Sequence, residues 1–500
     1  MSAQTHVLDA EIISIETDLS NGLHQFSIVG LPDKSVEEAR DRISAAIKNS
    51  GFDSPKSQNK KIVMSLAPAD IKKEGSFFDL GMALGYLKAQ GLVHTITDDK
   101  IFVGELSLDG EVKSVKGILP ITLKAAREGF KEIYIPYANK KEASLVHGIT
   151  IFGVKNLKQL VEHLEGKPGK KIEPTPHEKP ATSEVRTNSL AYIKGQESAK
   201  RALAIAASGK HNIAFFGPPG TGKTMLARAL RDLMPPLSFD DALEVTSIYS
   251  VAGLLKETYI KQDAPFRSPH HSASHVALIG GGATPRPGEI TLAHKGVLFL
   301  DEFPEFDRRV IEALRQPLED RVVSVSRAKG SALFPADIIL VASMNPCPCG
   351  YYGFKGKSCV CSAASIERYR KKISGPIMDR IDMWVEVGPV KHEVLLDAVD
   401  NLEESTEVQK QIISAREKQY ARTEGKLNSE LSAQDIITKI TLGEKEKEIL
   451  NTAAKTLGIS ARSYHRTIKV ACTIADMEGS ERITEHHMLE ALQYRPKIDK

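Results

Sequence analysis

Gly217-Pro-Pro-Gly-Thr-Gly-Lys-Thr224 has the G-x-x-x-x-G-K-[ST] spacing of a phosphate-binding P-loop. Gly217, Pro218, Pro219, Gly220, Thr221 and Gly222 form a loop whose backbone N–H groups can close around phosphate oxygens. Lys223 is placed to reach the terminal phosphates of a bound nucleotide, and Thr224 to hold Mg²⁺. That chemistry needs a buried strand before the loop and a helix after it. Asn212-Ile-Ala-Phe-Phe216 predicts the strand. Met225-Leu-Ala-Arg-Ala-Leu230 predicts the helix, whose N-terminal dipole favours an anion.

Two later segments supply partners for that loop. In Gly296-Val-Leu-Phe-Leu-Asp301-Glu302 four apolar residues predict a central strand with two acids at its C-terminal end, where a parallel sheet binds ligands. Asp301 can hold Mg²⁺ through water, and Glu302 can polarise an attacking water. Asp337-Ile-Ile-Leu-Val-Ala-Ser-Met-Asn345 predicts another strand, ending in an Asn able to orient that water. Alone, each reads as a strand running into a polar turn, and Asn before Pro346 is a common turn residue. Their succession behind a P-loop favours the catalytic reading.

The elements that must position these residues fall into blocks. The 500 residues allow two to four domains. The composition is that of an ordinary globular protein, and 67 basic against 64 acidic residues leave any case for nucleic acid to local patches. Residues 1–165 mix strands (Glu11–Ile15, Gln25–Val29, Asn59–Leu66, Ile101–Val103, Glu132–Pro136) with helices (Ser35–Ser50, Phe77–Gln90, Leu119–Gly129), an α+β pattern without a catalytic cluster. Residues 166–188 are polar and proline-rich, which predicts an extended linker that packs poorly. Residues 189–390 alternate strands and helices, as a parallel-sheet nucleotide-binding core should. Residues 391–500 carry only helical periodicity and predict a small helical domain. The fold class expected is therefore multi-domain α/β. No secretory pattern opens the chain and no apolar run reaches the length of a membrane span, so a cytoplasmic protein without membrane contact is expected.

Four of the 5 cysteines crowd into residues 347–361. Cys347, Cys349, Cys359 and Cys361 make two C-x-C pairs that could close a tetrahedral Zn²⁺ site, though the one-residue spacing is tighter than usual. Reduced free thiols are the alternative. Between Arg321 and Pro376 nine basic residues meet only Asp337 and Glu367, a strip suited to phosphate contacts. Tyr351, Tyr352 and Phe354 could stack on unpaired bases there, or simply pack on the knuckle. Arg321 to Phe334 predicts a hairpin turning at Lys329-Gly330. His270 and His271 could face DNA or a neighbouring chain; without further ligands they make no case for metal.

The order P-loop, Asp-Glu strand end, Asn strand end, Arg-bearing helix and helical lid resembles an AAA+ ATPase. The resemblance implies that Asn345 is the first sensor. Gly375-Pro-Ile-Met-Asp379-Arg380-Ile-Asp382 resembles the arginine-finger segment of the magnesium-chelatase and MCM branch, which implies Arg380 as the finger acting on a neighbour's ATP. Ser460-Ala-Arg462-Ser-Tyr-His-Arg466 resembles the second-sensor helix, which implies Arg462, with Arg466 as runner-up. Hairpins just before the first sensor line the pore in related helicases, which implies DNA contacts at Arg327 and Lys329.

Longer phrases narrow the match to ComM/YifB-type proteins: Ile193-Lys-Gly-Gln196, Phe266-Arg-Ser-Pro-His-His-Ser-Ala-Ser274, Pro287-Gly-Glu-Ile-Thr-Leu-Ala-His-Lys295, Leu314-Arg-Gln-Pro-Leu-Glu319 and Asn345-Pro-Cys-Pro-Cys-Gly350. The resemblance implies a hexameric, ATP- and Mg²⁺-dependent DNA helicase working on single-stranded or branched DNA. Its role would be branch migration while transforming DNA is integrated. The alternatives are a magnesium-chelatase-type ATPase subunit, another AAA+ protein remodeller, or a DNA-binding scaffold. The N-terminal unit resembles a Lon-protease domain. By that alignment Phe77 replaces the nucleophilic serine, Ser76 is one position off, and Lys124 stands in a shortened segment, which argues against proteolysis. A Lon-like unit together with the Cys-Pro-Cys-Gly knuckle would also separate this chain from a chelatase motor.

Overall fold

Ile213–Phe216, Val297–Leu300 and Ile339–Met344 are short, nearly unbroken apolar runs, the pattern of strands covered on both faces. In the computed structural model, which describes residues 1–178, 189–255, 260–282, 285–327, 330–354, 357–390 and 402–496, they form the middle of a five-stranded sheet. Its order is Phe266–Arg267, Val297–Leu300, Ile339–Met344, Ile213–Phe216, Met383–Glu386, and every neighbouring pair is parallel. The strand leading into the P-loop is thus flanked by the Asn345 strand on one side and the last strand on the other. All strands deliver their C-terminal ends to one edge.

The chain divides into two compact units, Met1–Thr182 with Ala242–Lys261, and Ser183–Asp241 with Gln262–Lys500. In the second, Glu197–Gly209 and Lys223–Leu233 are helices whose Ala202, Leu203, Leu226 and Leu230 share one buried cluster with Phe215, Phe299 and Val341. Each such aliphatic or aromatic side chain contributes about 1.5–3 kcal/mol by leaving water. The C-terminal helices Leu402–Thr423, Ala433–Lys439, Glu444–Leu457, Ala461–Met477 and Glu485–Gln493 join the same cluster through Ile412, Ile436, Leu450, Ile468 and Met488. Ser460 starts the longest buried one by accepting a hydrogen bond from the Ser463 N–H.

Val322–Arg327 and Gly330–Pro335 pair antiparallel with Arg327 opposite Gly330. The expected hairpin therefore forms, and its turn, with Lys329, lies outside the described residues.

The first unit holds a four-stranded sheet in the order Ser2–His6, Asp9–Asn21, Lys60–Ala67, Gln25–Val29 and a parallel three-stranded sheet of Lys100–Phe102, Glu132–Pro136 and Thr150–Val154. Asp33 caps the helix Lys34–Asn49 by accepting from the Val36 N–H at 2.9 Å. Phe102, Tyr134 and Phe152 stack across the second sheet with ring centroids 4.9 Å apart at each step. Two features differ from the reading of the sequence. Part of the expected linker packs: Ile172 is buried, its N–H donates to His163 Nδ1 at 2.9 Å, and the Thr175 N–H reaches Ile151 O at 2.8 Å. Residues 179–188 lie outside the described residues. In addition Ala242–Lys261, inside the range expected for the nucleotide-binding core, belongs to the first unit, where Ser250 donates to Glu142 and accepts from the Gly117 N–H.

Asp337, at the entry to the Asn345 strand, ties the sheet's other edge to the C-terminal helices. Its carboxylate lies 2.5 Å from Lys210 Nζ, 3.2 Å from Lys295 Nζ and 3.5 Å from Arg321 Nε, and Glu430 pairs with the same Lys210 and Arg321. Burial alone would raise the Asp337 pKa, but Lys210, Arg321 and Lys295 outweigh it and hold the carboxyl well below the usual range. A carboxyl lowered in the folded state stabilises above its unfolded pKa of about 3.9 and loses that contribution as pH falls toward the folded value. Asp337→Asn should therefore cost about 3 kcal/mol at pH 7 in denaturant unfolding. The gap to wild type should shrink at pH below about 4; a gap independent of pH would remove the ion cluster as its cause.

Candidate active site

Strand register assembles the site. Phe216 pairs with Met344, so Gly217 and Asn345 leave the sheet side by side, and the Gly217 N–H donates to Met344 O at 3.2 Å. A Cβ on Gly217 would stand 2.0 Å from Val387 O, so only glycine lets the chain cross the last strand there. Leu300 pairs with Ala342, which puts Asp301 beside Ser343; the Ser343 hydroxyl donates to Asp301 Oδ1 at 2.6 Å.

Lys223 is buried at the start of its helix, and its Nζ donates to Gly217 O at 2.7 Å, Pro218 O at 2.8 Å and Asn345 Oδ1 at 3.2 Å. Burial lowers the Lys223 pKa, with the Asp301 charge opposing. The ammonium spans the P-loop and Asn345, and a phosphate would be a stronger acceptor than the neutral carbonyls it now meets. Thr224 Oγ1 donates to Asp301 Oδ2 at 3.4 Å. A hydroxyl and a carboxylate side by side are hard oxygen donors of the kind Mg²⁺ takes beside a nucleotide. Thr221 closes the loop on itself through Pro218 O at 3.0 Å. The chain's own residues thus fit a nucleotide with its magnesium.

Glu302 follows Asp301 with φ of 52°, a left-handed backbone that a non-glycine residue adopts at some cost. Its N–H donates to Asp301 Oδ1 at 3.0 Å. Its carboxylate Oε2 lies 3.3 Å from His271 Nδ1. His271 therefore meets the candidate base, while the His270 ring lies tilted against the His271 ring with centroids 4.1 Å apart and reaches Ser272 Oγ at 2.8 Å.

Arg380 and Arg462 converge on one carboxylate. Arg380 is buried after the short helix Gly375–Met378, donates to Pro376 O at 2.8 Å and pairs with Glu319. Arg462, half exposed, meets the other oxygen of Glu319 at 2.7 Å. The hydrogen bond from Arg380, with Arg462 behind it, holds the Glu319 carboxyl below its usual range. The helix carrying Arg462 also grips the Arg380 segment, through three contacts from two residues. Ser463 donates to Asp379 at 3.0 Å, and Arg466 donates to Arg380 O at 2.9 Å and pairs with buried Asp382. Asp382 also accepts from the Asn212 N–H at 2.8 Å. Arg466 thus has a structural partner, and Arg462 is the more open of the two.

The four knuckle sulfurs lie within 4.8 Å of one another. The basic strip is less open than its sequence suggests. Arg321 is bound to Asp337 and Glu430, Lys371 to Glu367 and Lys372 to Glu305, while Arg370 and Lys357 lie over the rings of Tyr352 and Tyr351. Arg327 ends its strand, but its side chain, like Lys329, falls outside the described residues. Ser343 and Glu319 were not singled out from sequence. Ser343 stands two residues before Asn345 and was legible only through strand register.

A P-loop on one strand of a parallel sheet, with an Asn at the end of the adjacent central strand and an acid pair at the end of the strand beyond it, is the arrangement of an AAA+-related P-loop ATPase. Family profiles agree across the chain: "Magnesium chelatase, subunit ChlI" over 189–395, "Subunit ChlI of Mg-chelatase" over 15–139 and "Magnesium chelatase, subunit ChlI C-terminal" over 402–495. The chain is 42% identical over 494 residues to Competence protein ComM of Haemophilus influenzae, covering 98% of this chain and 96% of that protein. It is 40% identical to YifB of Escherichia coli over 489 residues, 98% and 95% of the two chains. The 67 kDa magnesium-chelatase subunit of Heliobacterium mobile is 29% identical over 194 residues, 32% of this chain and 28% of that one. The chain belongs to the ComM/YifB-type, magnesium-chelatase-like family of ATPases.

His271→Ala tests the contact that sequence alone did not show. Nucleotide affinity should stay within about twofold while kcat falls about tenfold, as expected when a candidate base loses its positioning partner. Unchanged kcat would leave the His271–Glu302 contact without a catalytic role.

Proposed function

We propose that this protein is an ATP-driven motor on DNA that works as a ring, most simply a hexamer, and promotes branch migration as ComM-type proteins are taken to do. The observation that carries the reading is the full-length match to a competence protein, in a chain whose P-loop, acid pair and Asn345 are intact and assembled. ATP would sit on the P-loop, with Lys223 on its phosphates and Mg²⁺ held by Thr224 and Asp301. Glu302 would polarise the water and Asn345 orient it. Arg380 of an adjacent subunit would complete the site, released from Glu319, and Arg462 would act as second sensor. The hairpin carrying Arg327 and Lys329 is the proposed DNA contact, on single-stranded or branched DNA. The C-terminal helices would serve as the lid, and the first unit as a Lon-like domain organising the ring. Among the described residues no helix is long and apolar enough to cross a membrane, which suits a cytoplasmic setting.

The two candidates for a proteolytic dyad have other partners. Ser76 donates to Glu105, and Lys124 Nζ lies 3.2 Å from Glu128. The chelatase reading has the profile names on its side, the N-terminal one included, so the first unit does not separate the two readings. Coverage favours the first reading: the chelatase subunit matches 32% of the chain and ComM 98%.

Steady-state ATP hydrolysis with single-stranded, double-stranded and branched DNA is the deciding measurement. DNA should raise the wild-type rate severalfold. Lys223→Ala should abolish nucleotide binding and turnover, and Glu302→Gln should keep binding while turnover falls about a hundredfold or more. A rate indifferent to every DNA would overturn the DNA motor in favour of a chelatase-like or protein-remodelling role.

A further inference from the structure

Two C-x-C pairs nine residues apart need not meet, yet here they close on a point. Cys347 is buried, and Cys349, Cys359 and Cys361 are partly covered. The Cys347 sulfur lies 3.4 Å from that of Cys349 and 3.7 Å from that of Cys359, and Cys349 lies 3.6 Å from Cys359. Four thiolates on one zinc ion at about 2.3 Å, set at tetrahedral angles, stand about 3.8 Å from each other. The spacing fits a single ion. A disulfide would need about 2.05 Å, and a two-iron cluster would spread its sulfurs over two metals. Two backbone N–H groups already point at the sulfurs: Tyr352 N to Cys347 Sγ and Cys361 N to Cys359 Sγ, each 3.4 Å. Such donors offset thiolate charge around a bound metal.

The knuckle also has a place. Cys347 follows Asn345 by two residues, and the Gly350 N–H returns to Cys347 O at 3.0 Å. Gly350 lies flat on the P-loop: a Cβ there would be 2.7 Å from Pro219 Cδ and 3.9 Å from Asn345 Cγ. Gly353, three residues on, shares the left-handed backbone, with φ of 79° against 87°, but faces open space.

We propose that Cys347, Cys349, Cys359 and Cys361 bind one structural Zn²⁺, and that the metal-held knuckle braces Pro219 and Asn345 in register for nucleotide turnover. The metal half stands on the cysteine geometry alone. The bracing half rests on the nucleotide-site reading above, and the two are measured separately.

Zinc in the purified full-length protein, counted by plasma mass spectrometry, should be one per chain. X-ray absorption should show four sulfur neighbours at about 2.3 Å. Cys359→Ser should lower the zinc content at least tenfold. If that variant does not fold, zinc released from wild type by a mercurial thiol reagent, titrated against a metallochromic dye, gives the same count. Metal absent with four titratable thiols, iron in its place, or oxygen and nitrogen neighbours would each overturn the zinc site. For the brace, Gly350→Ala and Gly353→Ala are compared. Both should keep zinc. Gly350→Ala should lower ATP turnover about tenfold by displacing Pro219, and Gly353→Ala should leave it near wild type. Equal turnover in the two would overturn the brace while leaving the zinc count standing. Failure of the nucleotide reading itself would show instead as wild-type protein without ATP binding.

Discussion

The parallel pairing of Ile213–Phe216 with Ile339–Met344 is the constraint on which the site depends. It sets Gly217 beside Asn345, and through the next strand sets Asp301 beside Ser343. A slip of one residue would turn every side chain of a strand to the opposite face. Because both faces of these strands are buried, the apolar set on each side locks the register. The few polar groups at the strand ends therefore inherit their geometry from the core. Lys223 needs no long-range carboxylate to be placed, because carbonyls of its own loop and the Asn345 amide hold it.

A second constraint is electrostatic. The segment from Asp379 to Asp382 carries an arginine and one carboxylate into the interior, with Asp379 partly covered beside them. Charges removed from water at that depth need partners, and one helix provides them: Ser463 for Asp379, Arg466 for Asp382 and Arg462 for the glutamate that holds Arg380. Breaking one pair leaves its partner uncompensated, so the helix and the segment should move as one piece. Glu319 is different. At about two-fifths exposed it is as accessible as Arg462, and it is the group through which Arg380 and Arg462 are joined.

Much of this was legible in the sequence because it is local. The P-loop, the acid pair and the Asn strand are each contiguous phrases whose chemistry and flanking apolar runs can be read together, and the family phrases extend across the chain. The hairpin before Asn345 was legible from alternating residues around a glycine. What escaped depends on contacts between distant segments. Nothing in the residues near His271 points to Glu302, and nothing near Glu319 points to two arginines 61 and 143 residues away. The linker failed for a plainer reason. Its polar, proline-rich average hid one isoleucine: Ile172 is buried, its N–H bonds to the His163 ring, and the Thr175 N–H bonds to Ile151 O, which tie residues 172–175 to the first unit. The basic strip is less open than a count of charges along the chain suggests, because that count does not see the acids that face it from Glu305 and Glu430.

The site's unusual backbone points share a logic. Glu302 has a left-handed conformation without being glycine, and Gly217 and Gly350 are close approaches that a single added carbon would block. Each lies at the C-terminal edge of the sheet, where ladder hydrogen bonding ends and the backbone is free to be bent by its contacts. Gly217 meets the last strand, Gly350 meets the P-loop, and Glu302 bonds the Asp301 carboxylate through its own N–H. Conformations of this kind persist only where the surrounding structure over-determines them. Here the rigid sheet fixes one end of each segment, and helix starts or the cysteine knuckle fix the other. A motif in sequence becomes a site when both ends are held, which is why a residue outside the motif, such as Val387 behind Gly217, bears directly on how the loop is shaped.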